Sequence, residues 1–476
     1  MKLLGCVTFE ILMDKIALNL WLFCRVIFIC SALAIIFAPL DIAIILLYFS
    51  VSFVLLFVTG IGFKATQADS LYSVIYGTIA TYLWFAYPFK VAVLAYMAEI
   101  SWITEMSFLP VASATDFANA YFLCSPALIL LLLGLSFPIA KSGAAVHVQT
   151  KIGVETAILI VALLLFKVFL QVFFDMAKPG VKPQEFSIPF MSGLLAFLTG
   201  FYLLALVNIY LYHALIEKNK LKVRMGSVFF LLLILSDLWV GYKQALILQV
   251  VIFTYYFALA KQSMPVHKRR KLSLVLVISA FIALTLYQYI NDYRYALLSG
   301  QDVSAAVTSA VTISKSSETE GTLLSFMNRI NGVDNFFASS QMNVYYSFSW
   351  SAMLDQSLGE GFNNVLYDGE QVNTQFGLTQ FGAMYVIGGV PFMMFGSLVL
   401  GVIIRLIAKV LLNSVFARTS WAIAFVPPLS LWFVKVLFAG GVLLLYLKEV
   451  FLVSLLLYLT YKLNLKFNGY NKFIVR

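Results

Sequence analysis

The chain has 476 residues, of which 62% are hydrophobic and only 11% are charged, and its mean hydropathy is +0.93. An average soluble domain has roughly 25% charged residues, so this composition excludes a soluble enzyme or binding domain. Apolar runs of about 18 residues or more recur along the whole chain, each long enough to cross a membrane as a helix. Alternating ten-residue strand patterns are absent. We therefore expect an all-α polytopic integral membrane protein, with residues 1–476 forming one transmembrane domain.

Twelve apolar segments are long enough to span the membrane. The first is about 22 residues long, which exceeds the apolar region of a signal peptide, and no convincing small-residue cleavage site follows it. We therefore keep it as the first span. The twelve predicted spans are 17–38, 42–63, 71–97, 118–140, 153–174, 191–216, 225–241, 243–260, 272–291, 381–404, 420–440 and 442–461.

The loops between these spans alternate in charge. Most of the 32 lysines and arginines fall on one side, including the runs KNKLKVR and HKRRK. The positive-inside rule then places both termini in the cytoplasm. A net charge of +10 could indicate nucleic-acid binding in a soluble protein, but here the basic runs are expected to contact anionic lipid headgroups, with no nucleic-acid partner. The outer side has only six cations: Lys178, Lys182, Lys243, Arg294, Lys315 and Arg329.

The longest loop covers residues 292–376 and is expected on the outer side. Its first third, SGQDVSAAVTSAVTISKSSETEG, is rich in Ser, Thr and Ala. The next segment, TLLSFMNRINGVDNFFASS, has apolar residues at helical spacing and contains Arg329 and Asp334. It predicts an amphipathic helix over about residues 322–339, lying on the outer membrane surface or capping a cavity.

Charged residues inside the spans are costly unless they reach the interface or are paired. Arg25 can reach the cytoplasmic interface. Four lysines instead lie about five to eight residues from the outer end of their spans, where a single lysine could also extend its side chain to the headgroups. Together they predict an outward-open cavity with positive walls, suited to an anionic ligand. They are Lys90, Lys167, Lys435 and Lys448, and Glu449 could neutralise one of them.

Two further cations lie at the predicted outer ends of spans. The segment DLWVGYKQALIL joins two short apolar runs through a glycine turn with Lys243, which indicates a broken helix or an ordinary hairpin tip. Arg294 follows the ninth span in NDYRY.

The four cysteines lack disulfide or zinc spacing, and none of the three histidines is expected on the outer side, so no metal site or cofactor is predicted.

These features together carry a family resemblance. Four features occur within residues 230–405. They are a Gly-x-basic turn between two short spans, an arginine after the next span, an arginine inside a large late loop, and the glycine-rich segment FGAMYVIGGVPFMMFGSLVLG. In this region the chain resembles the Wzy-type O-antigen and oligosaccharide repeat-unit polymerases. The basic residue of the turn is often arginine in that family and is Lys243 here, which removes a bidentate phosphate contact.

The resemblance implies a metal-independent glycosyltransferase of the bacterial inner membrane. It would transfer the growing glycan from undecaprenyl pyrophosphate to the non-reducing end of a lipid-linked repeat unit on the periplasmic face, and a chain-length regulator could be a partner. Expected catalytic residues are Arg294, Arg329 and Asp334, with Asp292 and Asp237 as other candidate bases. Expected pyrophosphate-binding residues are Lys243, Arg294, Arg329, Lys90, Lys167 and Lys435.

Three other functions stay open at the level of the sequence. A lipid-linked oligosaccharide flippase or secondary carrier also fits twelve spans, although no repeat relates the two halves of the chain. An O-antigen ligase uses the same lipid pyrophosphate chemistry, but that family has a histidine in an external loop. A non-catalytic membrane scaffold is the third alternative.

Overall fold

The computed structural model describes residues 4–96, 113–138, 152–174, 194–239, 332–342, 379–415, 420–438 and 443–468, except residues 196 and 218, together with the single residues 274, 293 and 308. Nearly all residues in these ranges are helical, and none is in a strand. The expectation of an all-α polytopic membrane protein is therefore confirmed in its general form. The helices are α1 (Leu4–Ile36), α2 (Ile42–Thr66), α3 (Ser70–Trp84), α4 (Lys90–Tyr96), α5 (Ala114–Leu135), α6 (Val154–Phe173), α7 (Leu203–Glu217), α8 (Lys220–Trp239), α9 (Val333–Met342), α10 (Gln380–Lys409), α11 (Ser420–Phe438) and α12 (Leu443–Asn468).

Within these ranges, eight helical segments are long and apolar enough to cross a membrane. They correspond to the predicted spans one to six, ten and eleven. Helices α8 and α12 coincide with the predicted seventh and twelfth spans but contain more charged residues. The predicted spans 243–260 and 272–291 lie outside the described residues. The eight segments are Met13–Ile36, Ile42–Thr66, Ser70–Tyr96, Ala114–Leu135, Val154–Phe173, Leu198–Leu215, Gln380–Asn413 and Ser420–Phe438.

The chain divides into two compact units. Unit 1 consists of Met1–Ala145, Ile330–Ala417 and Leu429–Val450. Unit 2 consists of Val146–Arg329, Arg418–Pro428 and Phe451–Arg476.

In unit 1, α5 and α10 pack with their backbones in direct contact at two glycines. A Cβ atom on Gly134 would lie 2.3 Å from the carbonyl oxygen of Leu398, and one on Gly401 would lie 2.6 Å from the carbonyl oxygen of Leu131. Small residues at a helix crossing allow such close approach in membranes, where van der Waals packing drives helix association.

The regular geometry of α10 is interrupted near its start. Gly388 and Gly389 have non-helical backbone angles, and the positive φ of 66° at Gly389 is one that residues with a Cβ rarely adopt. Pro391 follows and has no N–H to donate to the preceding turn. The glycine-rich segment noted in the sequence is therefore where this helix is kinked.

A wide turn of π-helix, Phe85–Phe89, joins α3 to α4 and contains Pro88. The hydroxyl of Tyr48 donates to the carbonyl oxygen of Pro88 at 2.8 Å, which compensates one polar group of the distorted turn. A π-turn adds about one residue to the helix, so it rotates the side chains that follow by roughly 100°. Lys90, the first residue of α4, is completely buried.

In unit 2, polar contacts join the ends of several helices. The backbone N–H of Gly153, before α6, donates to Asn464 of α12 at 2.8 Å. A ring nitrogen of His213 in α7 lies 2.9 Å from the hydroxyl of Ser420 at the start of α11. Each contact satisfies buried polar groups that have little water to bind, so the contacts help fix the register of these helices.

The glycine contact between α5 and α10 gives a stability prediction. Gly134→Ala should lower the midpoint temperature of thermal unfolding in detergent. The added methyl group overpacks the helix contact, which costs about 1–3 kcal/mol of stability. This cost exceeds the gain of at most about 1 kcal/mol from the higher helix propensity of alanine. Gly396→Ala is the matched control on α10, since its Cβ would meet the flexible Met384 side chain instead of backbone. Equal midpoints for the two variants would contradict this packing.

Candidate active site

Helix α9 belongs to the segment predicted as the long loop, residues 292–376, and lies inside unit 1. All of its residues from Val333 to Ser339 are buried. The ring of Phe336 contacts Tyr385 of α10, with centroids 5.5 Å apart, and the ring of Phe337 contacts Phe117 of α5, with centroids 5.7 Å apart. The helix is therefore a core element with neighbours on more than one side.

The observed helix differs from the one predicted over about residues 322–339. It covers Val333–Met342, and residues 322–331 lie outside the described part of the chain. The sequence pattern indicated one apolar and one polar face. In the structure polar residues are buried too, including Asp334, Asn335 and Ser339, because α9 is enclosed by other helices.

The start of α9 lies against the π-turn. A Cβ atom on Gly332 would lie only 2.0 Å from the carbonyl oxygen of Ala86, so this approach requires glycine. The backbone N–H of Gly332 donates to the side-chain oxygen of Asn335 at 3.1 Å, and the N–H of Phe336 donates to the carbonyl oxygen of Gly332 at 3.0 Å. These bonds fix where the helix begins.

A buried ion pair joins α9 to the third membrane segment. The ammonium nitrogen of Lys90 lies 2.7 Å from Oδ1 of Asp334, and the side chains are 0% and 3% exposed. The Asp334 carboxylate is also within electrostatic range of the hydroxyls of Tyr82 and Tyr87. Removing one partner of such a pair leaves an uncompensated buried charge, at a cost of about 3–5 kcal/mol.

Aromatic rings surround this end of unit 1. Phe438, the last residue of α11, contacts Tyr82 with centroids 4.7 Å apart, Phe381 at 5.8 Å and Tyr87 at 6.2 Å. Tyr87 also meets Phe381 edge to face at 5.8 Å. These rings exclude water, which strengthens the attraction between Lys90 and Asp334.

A second buried ion pair occurs in unit 2. Lys167 of α6 forms a direct hydrogen-bonded salt bridge with Oδ1 of Asp237 in α8. Both residues are buried, as is Gln171 one turn along α6. The pair therefore neutralises a lysine that the sequence analysis placed in a positive cavity wall.

A third lysine has a more open environment. The ammonium of Lys435 lies 3.6 Å from Oε2 of Glu449, and its side chain is 35% exposed. The indole N–H of Trp432 donates to the same oxygen at 3.4 Å. Glu449 thus neutralises one of the four lysines, as the sequence analysis allowed, while Lys448 is exposed.

The remaining predicted site residues are distributed as follows. Lys243, Arg294, Arg329 and Asp292 lie outside the described residues. The guanidinium of Arg25 lies 4.5 Å from the ring centroid of Trp21 on the same helix. The structure thus brings Asp334 together with Lys90, and Asp237 with Lys167. Because of these pairings, the predicted cavity walls carry less net positive charge than four unpaired lysines would give them.

A different charged cluster marks the opposite end of α10. The guanidinium of Arg405 lies 3.6 Å from the ring centroid of Tyr72 and 3.5 Å from Oδ2 of Asp69, next to the start of α3. Phe381, at the start of α10, instead contacts Tyr87 beyond the end of α3. Helices α3 and α10 therefore run antiparallel within unit 1.

Comparisons with protein-family models, curated proteins and solved structures found no match for this chain.

The pair in unit 2 gives a second stability prediction. Lys167→Met and Asp237→Leu should each lower stability by about 3–5 kcal/mol, because each removes one partner of a buried ion pair, whereas the double variant should approach the wild type. Thermal unfolding in detergent provides the measurement. Lys222→Met is the matched control, because its pair with Glu217 is partly exposed and should be worth about 0–1 kcal/mol. Additive losses in the double variant would contradict the pairing.

Proposed function

We propose that the chain is a polysaccharide polymerase of the Wzy type. It transfers the growing glycan from undecaprenyl pyrophosphate to the non-reducing end of a lipid-linked repeat unit, at the periplasmic face of the bacterial inner membrane. The observation that carries the proposal is the burial of α9, a segment of the long loop, against Lys90 through Asp334. A loop helix fixed within a membrane unit fits an enzyme that works at one membrane surface. A carrier with alternating access instead needs helices that rock apart.

The residue inventory fits this chemistry. A sugar pyrophosphate is already activated, so the enzyme must mainly align an acceptor hydroxyl and stabilise an anionic leaving group. Arginine and lysine can stabilise that group without a metal. We expect Arg294, Arg329 and Lys243 to contact the pyrophosphate. Among the described lysines expected to bind it, Lys435 is the most open to an additional anion.

The buried pairs change the roles expected for the other lysines. Lys90 and Lys167 are buried and each contacts a carboxylate, so neither ammonium group is exposed to a pyrophosphate in this structure. Asp334 and Asp237 are buried in the same pairs, although a base must come within about 3 Å of the acceptor hydroxyl. Asp292, the other candidate base, lies outside the described residues.

The proposal includes twelve spans with both termini in the cytoplasm. In unit 1, residues predicted near the outer side meet around Lys90, and Arg405 and Asp69, both predicted near the inner side, meet each other. In unit 2, Gly153 and Asn464, both predicted near the inner side, are hydrogen-bonded. Such pairing supports helices that alternate in direction across the membrane.

Reporter fusions test this topology. Alkaline phosphatase is active only outside the cytoplasm, so fusions after Gly180 and Gly300 should be active and fusions after Ala145 and Asn219 inactive. A fluorescent protein that matures only in the cytoplasm should give the reverse pattern at the same four positions. Phosphatase activity at Ala145 would contradict the proposed orientation.

Lipopolysaccharide gels test the activity. Deletion of the gene should remove long O-antigen ladders and leave single-repeat chains, since flipping and ligation remain. Arg329→Ala should have the same effect at normal protein abundance, because an expected contact to the leaving pyrophosphate is lost. Arg224→Ala is the matched control, since this exposed arginine is predicted on the cytoplasmic side.

Loss of even the single-repeat chains in the deletion strain would favour a flippase or a ligase. Full-length ladders in the Arg329→Ala variant would remove that residue from the site.

A further inference from the structure

We infer that Lys90 and Asp334 form a positioning pair: they hold α9 in one register within unit 1. This inference rests on the proposed polymerase function and deepens it. It assigns Lys90 and Asp334 to holding α9 in place, instead of direct contact with pyrophosphate or with the acceptor hydroxyl. Two observations support it.

The first is that the pair selects one register for α9. Lys90 is completely buried and therefore needs a counter-charge, since an unpaired charge in a membrane segment costs at least about 2.5–3.5 kcal/mol. Asp334 lies between Val333 and Asn335, neither of which is charged. A shift of α9 by one residue would therefore place a neutral side chain against the ammonium group.

The second is that α9 is attached to the third membrane segment at two points. Gly332 fits against the carbonyl oxygen of Ala86, and Asp334 binds Lys90. Two attachments fix the direction of α9 relative to this segment, whereas one would leave the helix free to pivot.

Stability alone does not account for charges at this location. A buried ion pair is often no more stabilising than well-packed apolar side chains of similar volume, but it can specify a unique arrangement. Leucine or methionine would bury α9 equally well and would tolerate a shifted register. The Lys90–Asp334 pair instead specifies one position of α9 in unit 1.

The test measures seating and polymerisation separately. Seating means that α9 occupies its buried position in unit 1, where Ser339 is fully buried. It is measured in native membranes with a Ser339→Cys variant whose native cysteines have been replaced. The measured quantity is the rate at which a water-soluble maleimide labels this cysteine. Polymerisation is read from O-antigen ladders. The variants are Lys90→Met, Asp334→Leu, the conservative Lys90→Arg, and the charge swap Lys90→Asp with Asp334→Lys.

The inference predicts a specific pattern. Each neutralising single variant should increase the labelling rate by on the order of tenfold or more and remove long ladders, because one buried charge loses its partner. The charge swap and Lys90→Arg should restore slow labelling and recover ladders. The matched control is the swap Lys222→Asp with Glu217→Lys, a partly exposed pair in unit 2 that should leave both readouts unchanged.

Two outcomes would overturn the inference. Unchanged labelling and ladders in both single variants would mean that the pair does not seat α9. Slow labelling with no ladders in the charge swap would mean that the Asp334 carboxylate acts directly in the reaction. If the single variants do not accumulate, the charge swap and Lys90→Arg still decide between these results. Failure of the proposed polymerase function would give a different result. The single variants would still increase the labelling rate of the cysteine at position 339, but deletion of the gene would leave the O-antigen ladders intact.

Discussion

A charged side chain inside a membrane segment needs a counter-charge, and this constraint organises much of the structure. Lys90, Lys167 and Lys435 each meet a carboxylate from another helix. Lysines and carboxylates that would each be costly alone thereby become specific links between helices. The most consequential link is the one to Asp334, because its carboxylate lies in the segment predicted as the long loop. It makes part of that segment a core element of unit 1.

Irregular backbone makes this link possible. The π-turn Phe85–Phe89 precedes Lys90, and its Ala86 carbonyl receives the chain at Gly332. The kink at Gly388 and Gly389 lies about one turn beyond Tyr385, which contacts α9. Distortions of this kind are common near functional sites in helical proteins. Their grouping around α9 is consistent with a site at this end of unit 1, whereas the regular crossing of α5 and α10 at Gly134 and Gly401 supplies a rigid support.

The sequence predicted some of these features and could not predict others, for physical reasons. Apolar run length is a local property, so the eight described apolar segments were predicted, although some ends were not: the tenth predicted span ends at 404, whereas the helical segment continues to Asn413. The cost of charge in lipid also marked Lys90, Lys167 and Lys435 as unusual. Their partners depend on tertiary contacts between distant parts of the chain, and no local pattern reports these. For the same reason α9 was predicted as a surface-lying or cavity-capping amphipathic helix, although its polar side chains are buried by neighbouring helices.

Helix α9 packs between α5, α10 and the third membrane segment, and a cross-link to α5 tests this packing. Phe117 and Phe337 are in ring contact across α5 and α9. With cysteines at these two positions, no other cysteines and a protease site after Gly300, a short membrane-permeant bis-thiosulfonate in native membranes should join the two fragments. Cysteines at positions 117 and 395 provide the control, since Phe395 is 64% exposed on α10 and should not cross-link. Separate fragments for the 117 and 337 pair, at a yield no greater than the control, would contradict the account.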